Sequence, residues 1–184
     1  MAKTRPSGAN FIGFADPKVT KIEWFRGYTT RNPLRIDKAQ LSHSLHKKAI
    51  SGKMRVKDII DTYKKSSKGR ALSAHNVPFG IHLTRGGVKH DYFIKNMTKE
   101  RLAILVNYDR MNYLLSQGTV LERRVKRTNR YGTESPKKDN WERFWSIKGS
   151  TYIKNKLYAF DFSIVKIKGQ DIAHVYDFSM QKKN

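Results

Sequence analysis

The sequence predicts an α+β fold: an antiparallel sheet that includes a long C-terminal hairpin, packed with about three helices. Three observations predict it. Residues 156–180 alternate with period two: Tyr158, Phe160, Phe162 and Ile164 share one face, Lys168-Gly169-Gln170-Asp171 forms a turn, and Ile172, His174, Tyr176 and Phe178 alternate on the return. Between residues 37 and 118, apolar residues recur instead at helical spacing. Finally, the chain shows no internal repeat and no strand–helix alternation with a glycine fingerprint, the marks of solenoids and of parallel α/β folds. With 184 residues, 38% hydrophobic and including nine Phe, nine Tyr and three Trp, it has the material for one core. The expected organisation is a flexible basic arm over residues 1–10, then a single α+β domain over 11–184.

The arm holds Lys3, Arg5, Pro6, Ser7 and Gly8 with no periodic apolar residue. Phe11, Ile12 and Phe14 lead to an Asp16-Pro17 turn, and Val19, Ile22, Trp24, Phe25 and Tyr28 give an early hairpin ended by Asn32-Pro33. Asp37 stands at an N-cap position, with Leu41, Leu45 and Ala49 following at a spacing of four before Gly52. A second helix starts near Arg55, because Val56, Ile59, Ile60 and Tyr63 match i, i+3, i+4, i+7, and it fades at Ser66-Ser67-Lys68-Gly69. Together they read as a short-loop helical hairpin, which across Ser51-Gly52-Lys53 has the form of a helix-turn-helix. Residues 77–84 read as a strand, followed by a Gly86-Gly87 turn and the short apolar run Tyr92-Phe93-Ile94. Thr98 caps a third helix that runs to Gly118, with Leu102, Leu105, Val106 and Tyr113 along one stripe widened by Ile104, Met111 and Leu114. Val120 to Thr128 is a basic β-compatible segment, 129–140 a loop, and Trp141, Phe144, Trp145 and Ile147 resume the sheet.

Charge sets the expected partner. There are 38 Lys and Arg against 15 Asp and Glu, a net charge of +23. It is uneven: residues 1–70 hold 17 basic against 5 acidic side chains, and residues 119–130 hold 5 against 1. Such asymmetry implies a basic face for a polyanion, DNA or RNA, held through its phosphates. The candidate nucleic-acid-binding residues are Lys47, Lys48, Lys53, Arg55 and Lys57 around the helical pair, and the dense cluster Arg123, Arg124, Lys126, Arg127 and Arg130. A basic structural component of a nucleoprotein particle carries the same charge without an active site.

The residue inventory removes many chemistries. Without cysteine there are no disulfides, thiolate zinc sites, iron–sulfur clusters or Cys nucleophiles. No GxxxxGK[ST], strand-borne GxGxxG or GxSxG occurs. No metal site and no cofactor are expected: His43 and His46 lie three apart without the Glu of an HExxH motif. No run approaches the roughly 18 apolar residues of a membrane span, and the first ten residues lack a signal-peptide core, so a cytoplasmic protein without membrane contact is expected. What remains as a catalytic alternative is a metal-independent ribonuclease. Imidazoles serve as general acid and base there, and a cation stabilises the charged transition state. His82 and His90, assisted by Arg85, are the candidate set.

Overall fold

Three long strands at the C-terminus carry the sheet: β6 (Trp141–Ile153), β7 (Lys156–Ile167) and β8 (Ala173–Lys182). The computed structural model describes residues 11–12, 34–36, 40–88, 98–125 and 140–184. The arm, the early hairpin, Tyr92-Phe93-Ile94 and the loop before Asn140 lie outside these residues. β6 and β7 are antiparallel and are joined by Lys154-Asn155, both at positive φ (49° and 62°), the conformation that a two-residue turn needs to match strand twist. β7 and β8 form the expected C-terminal hairpin, with Gly169 at φ 75° in the connection.

The alternation on the return strand differs from expectation. Ile164 pairs with Val175 but Ser163 pairs with Asp177, so Tyr176 is an extra residue, a β-bulge. Before it Ala173 and Val175 are buried, and after it Phe178 and Met180. His174 therefore faces away from Phe178 rather than sharing its side.

The sheet is mixed, not purely antiparallel. Short strands from earlier in the chain join its edges: β2 (Leu34–Ile36) runs parallel to the end of β6, and β4 (Ile81–Leu83) runs parallel to the start of β8. β5 (Thr119–Arg123) pairs antiparallel with residues 144–148 of β6. The spatial order is β2–β6–β7–β8–β4, with β5 beside β6 as well. Separately, β1 (Phe11–Ile12) pairs with β3 (Met54–Arg55).

Side-chain oxygens set the helix starts. α1 (His43–Ile50) begins where the Ser42 hydroxyl accepts from the Leu45 amide at 3.4 Å; the expected cap, Asp37, lies outside the described residues. α2 (Val56–Ser67) begins where the Asp58 carboxylate accepts from the Arg55 amide at 2.9 Å, and it ends at Lys68 in the left-handed region, followed by Gly69. Since β3 lies between them, with Met54 fully buried, the two helices are not joined by a bare turn as a helix-turn-helix would be.

The single helix expected from Thr98 to Gly118 is two. α3 (Lys99–Leu105) is capped by Thr98 as expected, but Asn107 is extended and its side chain accepts from the Arg110 amide at 3.0 Å, starting α4 (Tyr108–Gln117). The Arg110 guanidinium braces the break by donating to the Ala103 carbonyl at 2.9 Å. The break re-aims α4, so Met111, Leu114 and Leu115 are buried while Tyr113 is 39% exposed. No helix among the described residues is long and apolar enough to cross a membrane.

One face of the sheet holds the core. Trp145, Ile147, Phe160, Phe162, Ile164, Val175, Phe178, Ile81 and Leu83 share it and join α3 and α4 in one buried cluster. Phe162 stacks on Phe178 at 4.4 Å between centroids. Gly149 leaves room for the Phe160 ring, which an added Cβ would meet at 2.6 Å. Arg101 of α3, 2% exposed, donates to the Phe178 carbonyl on the edge of β8 beyond the reach of β4. Removing the α4 cap with Asn107→Ala is expected to cost about 1 kcal/mol, read as a lower midpoint of urea unfolding at unchanged slope.

Candidate functional site

The opposite face of the sheet is polar. Residues paired across strands share a side, which places Ser146, Lys148 and Ser150 of β6, Asp161 and Ser163 of β7, and Asp177 and Ser179 of β8 together. The Lys148 ammonium lies 3.6 Å from Asp161, and the Ser146 hydroxyl donates to the same carboxylate at 3.3 Å. Burial nonetheless pushes the Asp161 carboxyl up to about 6, with the charge of Asp177 adding to the effect and Lys148 and Ser146 opposing it.

At the β4 edge the chain builds a basic groove. The Thr84 hydroxyl accepts from the Gly87 amide at 3.2 Å and the Thr84 carbonyl from the Val88 amide at 3.0 Å, closing a helical turn over residues 85–88. That turn lies hard against β8: a Cβ on Gly87 would sit 2.0 Å from the Val175 carbonyl oxygen. Arg85 is thereby fixed opposite the first turns of α2. Between them is a groove of about 570 Å³ whose charged walls are Arg55, Lys57, Lys64 and Arg85 and whose floor is Val56, Ile60, Leu83 and Thr84. Among the described residues no carboxylate lines it. Four cations around an apolar floor create a positive potential that an anion relieves.

On the polar side, His82 of β4 and His174 of β8 are register partners on adjacent parallel strands, and both are half-buried. His174 Nε2 is hydrogen-bonded to the exposed Gln170 side chain, whereas Nδ1 is buried with no hydrogen-bond partner among the described residues. Burial, and then the charge of His82, hold the His174 imidazole below the usual histidine range. The row continues across the sheet: His82, His174, Val165, Phe144 and Arg123 pair in succession. Trp141 and Tyr176 pack beside it, their ring centroids 4.8 Å apart.

Of the expected catalytic set, His82 and Arg85 fall on β4 and the turn after it, while His90 lies outside the described residues. The structure brings His82 beside His174 instead. Of the expected nucleic-acid-binding set, Arg55 and Lys57 line the groove. Lys47, Lys48 and Lys53 are exposed around α1, but Lys48 pairs with Asp58 at 2.8 Å, which offsets its charge. Burial works against that carboxylate, yet the Lys48 hydrogen bond and the Arg55 amide outweigh it and hold Asp58 below the ordinary value. Arg123 and Arg124 are exposed at the end of β5; Lys126, Arg127 and Arg130 lie outside the described residues.

Arg123 of the second basic cluster lies away from β4. Arg123 and His82 stand four strand spacings apart, about 19 Å. Sequence reasoning left Lys64, Thr84 and His174 out of the site. Lys64 follows Lys57 by two helical turns, a legible signal, whereas nothing local announces that His174 will meet His82. Among the described residues no group of three or more His, Asp or Glu side chains is placed to hold a metal.

Two measurements check this geometry. Gly87→Ala forces its methyl into the Val175 carbonyl and is expected to destabilise the fold by about 1–3 kcal/mol, read by urea unfolding. Because the folded chain holds the Asp161 proton more tightly than the unfolded chain, whose carboxyl titrates near 3.8, this residue stabilises the fold below about pH 4 and the contribution is lost as pH rises through about 6. Between those values the melting temperature of the native protein should fall with pH relative to that of Asp161→Asn. No family model, curated protein or solved structure matches this chain significantly, so its geometry and electrostatics alone bear on function.

Proposed function

We propose that the protein binds nucleic acid, DNA or RNA, with the groove between α2 and the β4 edge holding the phosphates. The observation that carries this reading is the groove lining: Arg55, Lys57, Lys64 and Arg85, with no carboxylate among the described residues that line it, in a chain of net charge +23. Isolated surface cations are common and say little. Four of them converging on one concavity repel one another, and a phosphodiester backbone relieves that repulsion over several contacts at once. The floor of Val56, Ile60 and Leu83 suits the sugar and base surfaces that accompany the phosphates, and the Thr84 hydroxyl supplies a polar contact. Contacts of this kind fix a strand without reading its sequence.

Binding of fluorescent single-stranded RNA, single-stranded DNA and duplex DNA, titrated against salt, tests the reading. Four phosphate contacts give a slope of log K against log salt of about −3 for single strands and about −3.6 for duplex. The combined variant Lys57→Gln, Lys64→Gln, Arg85→Gln is expected to flatten the slope by about 2 units and to weaken binding at least tenfold at low salt. Lys47→Gln with Lys53→Gln, on the exposed surface around α1, should change it less. Absence of binding at low salt, or an unchanged slope in the groove variant, rejects the proposal.

A further inference from the structure

We infer that His82 and His174 are the acid–base pair of a ribonuclease site, which cleaves single-stranded RNA by attack of a ribose 2′-hydroxyl on the neighbouring phosphodiester. This rests on the nucleic-acid reading above for its substrate and adds a reaction to it. The parallel register sets the two imidazoles side by side on one face, on strands about 4.8 Å apart, close enough to address one phosphate together. Two adjacent imidazoles resist double protonation, and a neutral ring next to a protonated one is the state acid–base catalysis needs. His174 takes the neutral role. Burial of its ring, and then the charge of His82, both oppose protonation there.

The surroundings fit a phosphodiester. The exposed Gln170 side chain occupies His174 Nε2 and can yield that nitrogen to a substrate hydroxyl. His82 Nε2 lies beside Gly80, where an added Cβ would stand 3.8 Å away, an ordinary contact distance. The three residues after His82, namely Leu83, Thr84 and Arg85, line the basic groove, so a strand held there runs along the β4 edge that carries His82, and Arg85, three residues from it, is the cation assigned to the charge on a pentacoordinate phosphorus.

The step balances without a further reactant. His174 removes the 2′-hydroxyl proton as the 2′-oxygen bonds to phosphorus. The bond from phosphorus to the 5′-oxygen breaks, its electron pair staying on that oxygen, which receives a proton from His82. One strand ends in a 2′,3′-cyclic phosphate and the other in a 5′-hydroxyl. The pair still holds one proton, now on the other ring. DNA lacks the internal nucleophile and is held but not cut.

The test incubates a labelled random-sequence single-stranded RNA and a DNA counterpart with the full chain in EDTA, and measures binding of both in parallel. The expected result is RNA cleavage with 2′,3′-cyclic phosphate ends, DNA bound and intact, and single-turnover rates at least 100-fold lower in His82→Asn and His174→Asn, with RNA affinity within about threefold of the parent. A substrate-side arm is independent of variant folding: an RNA with one 2′-deoxy residue 5′ to a mapped cleavage site should lose cleavage there alone. RNA that binds but stays intact, cleavage that survives either substitution, cleavage only when a divalent metal is restored, or cutting at the 2′-deoxy site overturns the acid–base pair and leaves the binding reading standing. RNA that does not bind at low salt overturns the binding reading itself.

Discussion

Ile81 to Leu83 pair in parallel with Ala173 to Val175, and the candidate site depends on this three-residue contact at the edge of the sheet. The pairing buries Ile81 and Leu83 on the core face. On the other face the same register sets His82 against His174. Just beyond it, the Thr84 turn presses Gly87 onto the Val175 carbonyl and aims Arg85 at α2. A shift of one residue in this pairing would turn the imidazoles toward the core and Leu83 toward the polar side. The buried ends of Ile81 and Leu83 make that shift expensive, so hydrophobic burial on one face fixes chemical geometry on the other.

The two faces also differ in what holds them. Stacked and tilted aromatic rings, Phe160, Phe162 and Phe178, fill the core side, where burial of each such side chain is worth about 1.5–3 kcal/mol. Across the sheet, Lys148 and Asp161 form an ion pair with both side chains at or below one-tenth exposure. If attraction dominated there, the carboxyl would titrate below its ordinary value. It titrates near 6 instead, so desolvation together with Asp177 outweighs the attraction of Lys148. The polar face is thus maintained by the sheet that the core stabilises, and it adds little stability of its own.

Local patterns were legible where a local interaction decides. Val56, Ile59, Ile60 and Tyr63 are all buried along α2 as their spacing predicts, and Thr98 caps α3. The C-terminal hairpin forms where period-two alternation placed it. Misreadings arose where one residue changes the phase. Asn107 looks like an ordinary member of a helical stripe, yet as a cap it ends one helix and starts another. Tyr176 continues an apparent alternation, but as a bulge it separates His174 from Phe178. In both places the residue is compatible with either reading, and packing of the neighbouring elements selects one.

By itself the sequence determined the charge, the lack of thiol chemistry, the helix faces and the long hairpin, because composition and short-range periodicity suffice for these. It also pointed to His82, Arg85, Arg55 and Lys57 as functional candidates. Only the tertiary structure decided the sense of the edge strands, the separation of Arg123 from β4, and the meeting of His82 with His174 across more than ninety residues of chain. The reason is physical: a three-residue edge strand carries too few side chains to encode its partner or direction. Both are chosen by which arrangement completes the core, and no local pattern records that choice.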